Sequence, residues 1–235
     1  MVKLISPCAY SAAVNAYNGK LIDIWYRLFK PAVEKQSVIK NYLPLLHLEQ
    51  AVSPIWFLGM NPSVSSEVKK NWNGDYTSID DAQKIKIQQE QLESHEKHPY
   101  FEGLKEFYQD NSLLGRSENA LPVFHDMYPV RHTNQKEFKA FLKSAPDLKK
   151  ELDDANKAFL KQAAPKVIVV FNSKASEHLK ELFGIKKELP ITTTNRIAGM
   201  TFVYSSMYTG QRALDKYARV RLAREITEIL RDLDL

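Results

Sequence analysis

The chain has 235 residues, a net charge of +5 and a single cysteine, and 44% of its residues are hydrophobic. This composition is typical of a folded domain with a full core, and it excludes a disordered or a disulfide-rich chain. The modest positive charge permits a polyanionic partner without identifying one. No apolar run has the length of a transmembrane helix and the N-terminal segment makes a poor signal peptide, so we expect a cytoplasmic protein without a membrane partner.

The N-terminal part of the chain is predicted to be helical. Apolar side chains recur at helical spacing from Ala9 to Phe29, Pro31 interrupts the pattern, and Val38 to Leu48 continues it. We interpret residues 1–50 as a helical extension packed on a core domain of residues 51–235. Beyond the first strand, Glu67 to Lys97 is polar and predicts an exposed helix or lid.

A short apolar run, Ile55 to Leu58, predicts a buried strand that stops at Gly59. Gly59 permits a turn that a side chain would obstruct, Asn61 offers an amide, and Pro62 fixes the backbone after it. Small hydroxyl side chains follow. This arrangement suits the binding of a water or an anion at the mouth of a sheet, although it is also typical of a plain strand followed by an Asn-Pro turn.

Strand and helix patterns alternate in the second half of the chain, which favours an α/β fold with a mostly parallel sheet. The predicted strands are Leu121 to Phe124, Lys166 to Phe171 and Met200 to Tyr204. The predicted helices are Glu137 to Leu142, Glu151 to Ala164, Lys174 to Phe183 and Leu214 to Leu233.

The carboxyl ends of parallel strands meet at one edge of a sheet, so we expect the loops after the four predicted strands to converge there. Their side chains are mostly amides and hydroxyls, with a single carboxylate. The candidate residues are Asn61, Ser63, Asp126, Tyr128, Asn172, Ser173, Ser206, Tyr208, Thr209, Gly210, Gln211 and Arg212. Because histidines and acids do not occur at metal-ligand spacing, we expect no metal ion and no cofactor.

Two segments, in this order, resemble motifs of the uracil-DNA glycosylase superfamily. GMNPSVSS, at the end of the first strand, resembles the first motif of the mismatch-specific uracil/thymine branch. SSMYTGQRA, between the last strand and the last helix, resembles the DNA-inserting loop of the superfamily. The similarity covers most of Pro54 to Leu230, and it implies a three-layer α/β/α fold around a mostly parallel four-stranded sheet.

The resemblance implies a DNA glycosylase of base excision repair, which flips uracil or another damaged or mismatched base out of DNA and hydrolyses its N-glycosidic bond. Asn61 would be the catalytic residue that positions the attacking water. The implied base pocket consists of Gly59, Met60, Pro62, Ser63, Trp72, Tyr76, Asp126 and Asn172. The implied DNA-binding residues are Ser206, Met207, Tyr208, Thr209, Gly210, Gln211 and Arg212.

Several interpretations stay open beside this one. Trp72 and Tyr76 are as typical of a core as of a base-stacking site, and the late segment lacks the proline common in the superfamily, so it is also compatible with a plain helix entry capped by Thr209. The chain could be a non-catalytic member that binds nucleic acid or a nucleobase. It could also be an unrelated α/β hydrolase of nucleotides or phosphorylated small molecules, with Asp126, His125 and His132 as acid/base groups. His125 alone is typical of a packed or capping histidine. Arg219, Arg221 and Arg224 are typical of a solvated basic helix face.

Overall fold

The computed structural model describes residues 4–35, 43–44, 46–49, 52–60, 122–132, 134–185, 194–206 and 214–234. The helices are α1 (Pro7–Ile24), α2 (Lys30–Lys35), α3 (Gln135–Ser144), α4 (Pro146–Ala163), α5 (Ser173–Leu182) and α6 (Lys216–Asp232), and a π-helical turn, Trp25–Phe29, joins α1 to α2. The strands are β1 (Leu43–Pro44), β2 (Ile55–Gly59), β3 (Val123–Asp126), β4 (Val130–Arg131), β5 (Val167–Val170), β6 (Thr194–Ile197) and β7 (Met200–Tyr204). None of the described helices is long and apolar enough to cross a membrane.

The described strands form a five-stranded sheet in the order β3-β2-β5-β7-β6 and a separate β1-β4 ribbon. The strands β3, β2, β5 and β7 are parallel, whereas β6 pairs with β7 in the antiparallel direction. The predicted α/β class and mostly parallel sheet are therefore confirmed, while the predicted count of four strands is wrong. The additional strand is an edge strand, whose polar sequence TNRI carries little of the apolar signal of a buried strand.

A two-residue turn, Ala198 and Gly199, connects β6 to β7. Both residues have a positive φ, of 52° and 78° respectively. A turn of this kind matches the twist of the two strands that it joins, so the hairpin forms although an alanine occupies the first position. The antiparallel edge strand is a direct product of this local turn.

Helices cover both faces of the sheet, which is consistent with a three-layer α/β/α arrangement. One face presents Trp56, Leu58, Ile168, Val170 and Phe202 to apolar side chains of α1, α3, α4 and α5. The other face presents Ile55, Phe57, Val169 and Val203 to Leu222, Ala223, Ile226 and Ile229 of α6. All four residues of β5 are buried, because a central parallel strand is covered on both sides.

The N-terminal helix belongs to the same hydrophobic core as the sheet. Tyr10, Val14, Tyr17 and Leu21 of α1 are buried in the cluster that also contains Trp56, and α1 packs along α4. The predicted continuation of helix over Val38 to Leu48 is wrong in its described part, since Leu43–Pro44 form β1 and residues 46–49 are not helical.

The side chain of Asn18 explains why the segment after β1 is held without a helix. Its oxygen accepts from the backbone N–H of His47 at 2.8 Å, and its nitrogen donates to the carbonyl of the same residue at 2.9 Å. The two backbone groups that a helix would have used are thus satisfied by α1. Pro44 also lacks the N–H that a helix interior requires.

The helix boundaries differ from the predicted ones where a cap or a proline decides them. Helix α4 begins at Pro146, not at Glu151, because proline is favoured in the first turn of a helix, where its missing N–H has no partner to lose. Helix α6 has Asp215 as its N-cap, whose side chain accepts from the backbone N–H of Ala218 at 2.8 Å. The interpretation of Thr209 as the cap of this helix is therefore wrong.

Candidate functional site

The carboxyl ends of four neighbouring parallel strands lie in a row at one edge of the sheet. Gly59 of β2 is aligned with Asp126 of β3, and Val170 of β5 is aligned with Leu58 on one side and with Tyr204 of β7 on the other. In open α/β sheets this is the edge at which ligands bind. The strand order brings the ends of β2 and β3 directly together and places those of β5 and β7 beside them.

At this edge the carboxylate of Asp126 occupies the space over Gly59. A Cβ atom at position 59 would overlap Oδ1 of Asp126, so the glycine serves here for close approach and not for an unusual backbone conformation. The pairing of the two strands continues beyond their ends, where Met127 donates its N–H to the Gly59 carbonyl at 3.1 Å and Tyr128 donates to the Met60 carbonyl at 2.9 Å. Asp126 is half-buried, and this pairing holds the backbone that carries its carboxylate at the edge of the sheet.

The close approach of Asp126 to Gly59 predicts a stability effect. We expect Gly59→Ala to lower the free energy of unfolding by about 1–3 kcal/mol, because the new methyl group displaces the carboxylate or the strand. Gly19→Ala is the matched control, since no atom lies within 4 Å of a Cβ at this helical glycine, and it should raise stability by about 0.5–1 kcal/mol. Urea denaturation measures both. In an Asp126→Ala background, Gly59→Ala should cost much less, and an unchanged cost there would contradict the proposed contact.

The other described members of the predicted base pocket have partners within the protein. The side chain of Met60 is buried in the core, and its carbonyl accepts from the backbone N–H of Tyr128. A ligand could therefore contact this residue only through the other backbone atoms of Met60. Oδ1 of Asn172 caps α5, accepting from the N–H groups of Lys174 at 2.8 Å and Ala175 at 3.3 Å. Ser206 is exposed just beyond β7.

Much of the predicted site lies outside the described residues. This group consists of Asn61, Pro62, Ser63, Trp72 and Tyr76 of the predicted catalytic and base-pocket set, and of Met207, Tyr208, Thr209, Gly210, Gln211 and Arg212 of the predicted DNA-binding set. Their roles stay predictions.

Tyr204 is a residue of this edge that sequence reasoning did not single out. It is the last residue of β7, and Nζ of Lys180 lies 4.4 Å from the centre of its ring. Its hydroxyl group is buried and makes no hydrogen bond to the described part of the chain, and burial raises its pKa to about 12. The strand prediction named this residue only as a strand end, because nothing in the sequence marks the environment of its hydroxyl group.

His125, next to Asp126, points to the opposite face of the sheet and is buried. Its Nε2 lies 3.0 Å from Oδ1 of Asn156, and its Nδ1 lies 3.3 Å from Nδ1 of His47. The packed-histidine interpretation is thus confirmed. The hydrolase alternative loses His125 as an acid/base group that substrate could reach, since its side chain is enclosed by α1, α4 and the segment that carries His47.

The amide of Asn156 determines the direction of the hydrogen bonds that it makes in this buried network. Its nitrogen donates to the carbonyls of Met127 and Leu152, so its oxygen accepts, both from the hydroxyl of Tyr17 at 2.8 Å and from Nε2 of His125. With its proton on Nε2, a neutral His125 accepts at Nδ1 from His47. In a neutral His47, Nε2 then accepts from the hydroxyl of Tyr10, which lies 3.2 Å away.

His125 and Tyr17 of this network are neutral at physiological pH, and burial explains why. Burial lowers the pKa of His125 to about 4, although its hydrogen bond to Asn156 acts in the opposite direction. Burial also raises the pKa of Tyr17, and the nearby charge of Asp126 raises it further. The network therefore ties α1, β3 and α4 together behind the edge that carries Asp126, and it fixes the strand from which that carboxylate projects.

A second polar cluster lies between helices α4 and α5. The hydroxyl of Tyr128 donates to Oδ1 of Asp153 at 3.1 Å, Nε2 of His178 lies 2.8 Å from the same oxygen, and Nζ of Lys149 lies 2.7 Å from Oδ2. Burial alone would raise the pKa of Asp153, but the hydrogen bonds from His178 and Lys149 hold it below its ordinary value. Tyr128 lies in the loop after β3, as predicted, but its ring is buried and its hydroxyl joins this cluster, so its side chain is not available at the edge.

A cleft of about 420 Å³ opens beside Asp153 and His178. Its walls carry four lysines and three acids of α3, α4 and α5, and two of the lysines pair with acids of the same wall, Lys149 with Asp153 and Lys150 with Asp154. The ionised Asp153 orients the ring of His178, an arrangement that no local spacing in the sequence could indicate. Among the described residues no group of histidines, cysteines and acids could hold a metal ion.

Comparison of the chain with protein-family models, with curated proteins and with solved structures found no match.

Proposed function

We propose that the protein is a DNA glycosylase, which hydrolyses the N-glycosidic bond of a flipped uracil or another damaged or mismatched base. The observation that carries this proposal is the position of Asp126. Its half-buried carboxylate lies over Gly59, at the strand end that leads directly into the GMNPSVSS segment. A glycosylase needs polar groups fixed at this point, where an extruded base and a water would meet.

The chemistry required of this edge is modest. The leaving base departs with much of the negative charge, so the water needs orientation more than it needs a strong base. The Asn61 amide can accept from that water and donate to the sugar, while the Asp126 carboxylate accepts either from the water or from an exocyclic amine of the base. Backbone N–H groups of the segment that follows Gly59 would stabilise the charge that develops on the base.

A non-catalytic protein of the same fold, which binds nucleic acid or a nucleobase, is the second candidate. The observation that favours it is that two groups of the predicted pocket are used by the fold itself, the Met60 carbonyl by Tyr128 and Oδ1 of Asn172 by α5. Fewer groups then remain to hold a base edge and to stabilise a leaving group. This candidate predicts salt-sensitive binding without turnover.

The decisive experiment is a base-release assay on oligonucleotides that carry uracil, mismatched thymine, hypoxanthine or an alkylated base. We expect at least one of them to yield an abasic site that alkali cleaves. Asn61→Ala should reduce the single-turnover rate by about 10² to 10⁴, because a water that is no longer positioned attacks far more slowly. Its affinity for the same oligonucleotide should change by less than about threefold, since the amide contributes mainly in the transition state.

Asp126→Asn tests the carboxylate, and Asp154→Asn on α4 is its matched control. Asp154 is an exposed aspartate that pairs with Lys150 at the surface, so its loss should leave base release unchanged. The glycosylase proposal fails if no base is released from any of the four oligonucleotides. Retained binding in that case selects the non-catalytic candidate, and loss of both properties excludes both.

A further inference from the structure

We propose that the outer face of α6, formed by Tyr217, Val220, Arg221 and Arg224, binds a single strand of nucleic acid. This inference deepens the proposed function and rests on it only for the identity of that strand as DNA. The four residues recur at intervals of three and four positions, so they form one stripe along the solvent side of the helix.

The stripe carries the large apolar side chains that are exposed in the described structure, whereas those elsewhere are at least partly buried. Tyr217 is 75% exposed and Val220 is 39% exposed, and they are the large hydrophobic residues exposed in the described part of the chain. The opposite side of the same helix buries Leu222, Ala223 and Ile226 against the sheet. Packing of α6 therefore does not require an aromatic ring at position 217.

The arginines of the stripe add positive charge beside the exposed ring. Within the described residues, neither Arg221 nor Arg224 forms a salt bridge, whereas Lys149, Lys150 and Lys174 each pair with an acid on their own helix. Lys216 adds a further exposed positive charge beside Tyr217, and the acid at this end, Asp215, is used as the N-cap. The first two turns thus present positive charge around an exposed ring.

A tyrosine beside exposed guanidinium groups matches the chemistry of a single strand. Every base has a face that can stack on an aromatic ring, and guanidinium groups bind phosphates through paired hydrogen bonds. A ring on a convex helix cannot reach base faces inside a stacked duplex, so the strand must have unpaired bases. An amphipathic membrane helix would need a broad apolar face, and this stripe continues into Glu228 and Arg231.

The position of the stripe connects it to the candidate site. Helix α6 follows β7 in the chain and packs against the sheet, and a helix that follows a parallel strand begins at the carboxyl edge of the sheet. Tyr217 lies in the first turn of α6. A nucleic-acid strand bound along this stripe would therefore approach the edge of the sheet that carries Asp126 and Gly59.

The test measures the binding of undamaged, fluorescently labelled single-stranded DNA by anisotropy over a range of salt concentrations. We expect Arg221→Ala with Arg224→Ala to weaken binding at least tenfold and to lower the slope of log K against log[salt] by about 1.4, or about 0.7 for each phosphate that is no longer neutralised. Tyr217→Ala should weaken binding about fivefold or more, and Tyr217→Phe should bind like the wild type because it keeps the ring.

The matched control is Lys150→Ala with Lys161→Ala, which removes the same charge from the exposed surface of α4. An equal loss of binding in this control, or wild-type binding by the α6 variants, would overturn the proposal. Equal Tyr217-dependent binding to anionic lipid vesicles would overturn it in favour of a membrane partner. Because the probe carries no damaged base, the result does not depend on base release, so a failure of this inference is distinguishable from a failure of the proposed function.

Discussion

Replacement of Asn156 by leucine is expected to lower the free energy of unfolding by about 3–5 kcal/mol, which is a large part of the stability of an ordinary domain. Asn156 is fully buried, and its amide joins three parts of the chain. Its oxygen accepts from Tyr17 and His125, and its nitrogen donates to the carbonyl of Met127.

The cost comes from the groups that the substitution leaves behind. Leucine has a similar volume, so the change creates little cavity, but the hydroxyl of Tyr17, Nε2–H of His125 and the carbonyl of Met127 lose a partner inside the core. Each unsatisfied buried group costs about 1–3 kcal/mol. The total stays below the sum of the three because neighbouring groups can rearrange and the leucine gains apolar contacts.

Asn172→Ala is the matched control for this experiment. It removes an asparagine side chain from the half-buried N-cap of α5, where its oxygen accepts from Lys174 and Ala175, and it should cost about 1 kcal/mol. Urea denaturation followed by circular dichroism measures both variants. If the two losses are equal, the amide of Asn156 does not organise the core. Tyr17→Phe, which removes one donor and keeps the ring stacked on Phe159, should fall between them.

This network also explains how the N-terminal helix is tied to the sheet. Tyr10 and Tyr17 of α1 reach the histidines directly, while Asn18 holds the backbone of His47. The apolar residues of α1 fill the same core as Trp56 and Phe159. Loss of Asn156 should therefore loosen α1 together with the sheet, and amide exchange in α1 should rise with that in β3.

The sequence predicted the elements whose signals are local. The run at β5 is continuously apolar, so both its burial and its central place in a parallel sheet followed from composition. The strand Met200–Tyr204 was predicted with the boundaries observed. Edge strand β6 was missed because its residues are polar and only the Ala198–Gly199 turn creates it. Helix was wrongly continued past residue 43 because periodicity cannot show that Asn18 will bind the backbone of His47.

For the candidate site, the sequence predicted which strand ends meet at one edge, but not how the side chains beyond them are directed. Parallel strands bring their ends to one edge, so the meeting of Gly59 and Asp126 was expected, but their alignment in register required the fold. The direction of a side chain past a strand end is not encoded locally, and Tyr128 turned into the helix layer for that reason. The buried network joins residues 139 and 78 positions apart, Tyr17 with Asn156 and His47 with His125, and no spacing rule links positions so distant.

Acidification should destabilise the protein between pH 6.5 and pH 4, and the titration of His125 should contribute about 3 kcal/mol to this loss. Burial lowers the pKa of this residue to about 4 from its ordinary 6.5. Above pH 6.5 the ring is neutral in both states, so stability does not depend on it. Between the two values the unfolded chain takes up a proton that the folded protein does not, and stability falls as the pH is lowered. Below pH 4 both forms are protonated and this contribution is fully lost.

The hydrogen bonds themselves do not forbid a charged His125, so the effect measures burial. If Nδ1 of His125 gained a proton, it would donate a hydrogen bond to Nδ1 of His47, provided that His47 carried its own proton on Nε2 instead. The hydroxyl of Tyr10 would then turn to accept a hydrogen bond from that Nε2–H. The partly buried carboxylate of Asp153 acts in a different pH range. Its pKa is lowered from 3.8, so its contribution is present above that value and is lost only at more acidic pH. A loss of stability above pH 4.5 is therefore a signature of histidine.

Urea denaturation at half-unit steps of pH, with the His125 ring followed by NMR, tests this assignment. The wild type should lose about 1.4 kcal/mol for each pH unit in the middle of the range. His125→Asn is expected to be less stable throughout, yet its stability should change much less between pH 6.5 and pH 4.5, so the pH slope separates the titration of the ring from its packing. A His125 ring that titrates near pH 6.5 in the folded protein would contradict its enclosure behind the candidate site, and with it the fixed position of the strand that carries Asp126.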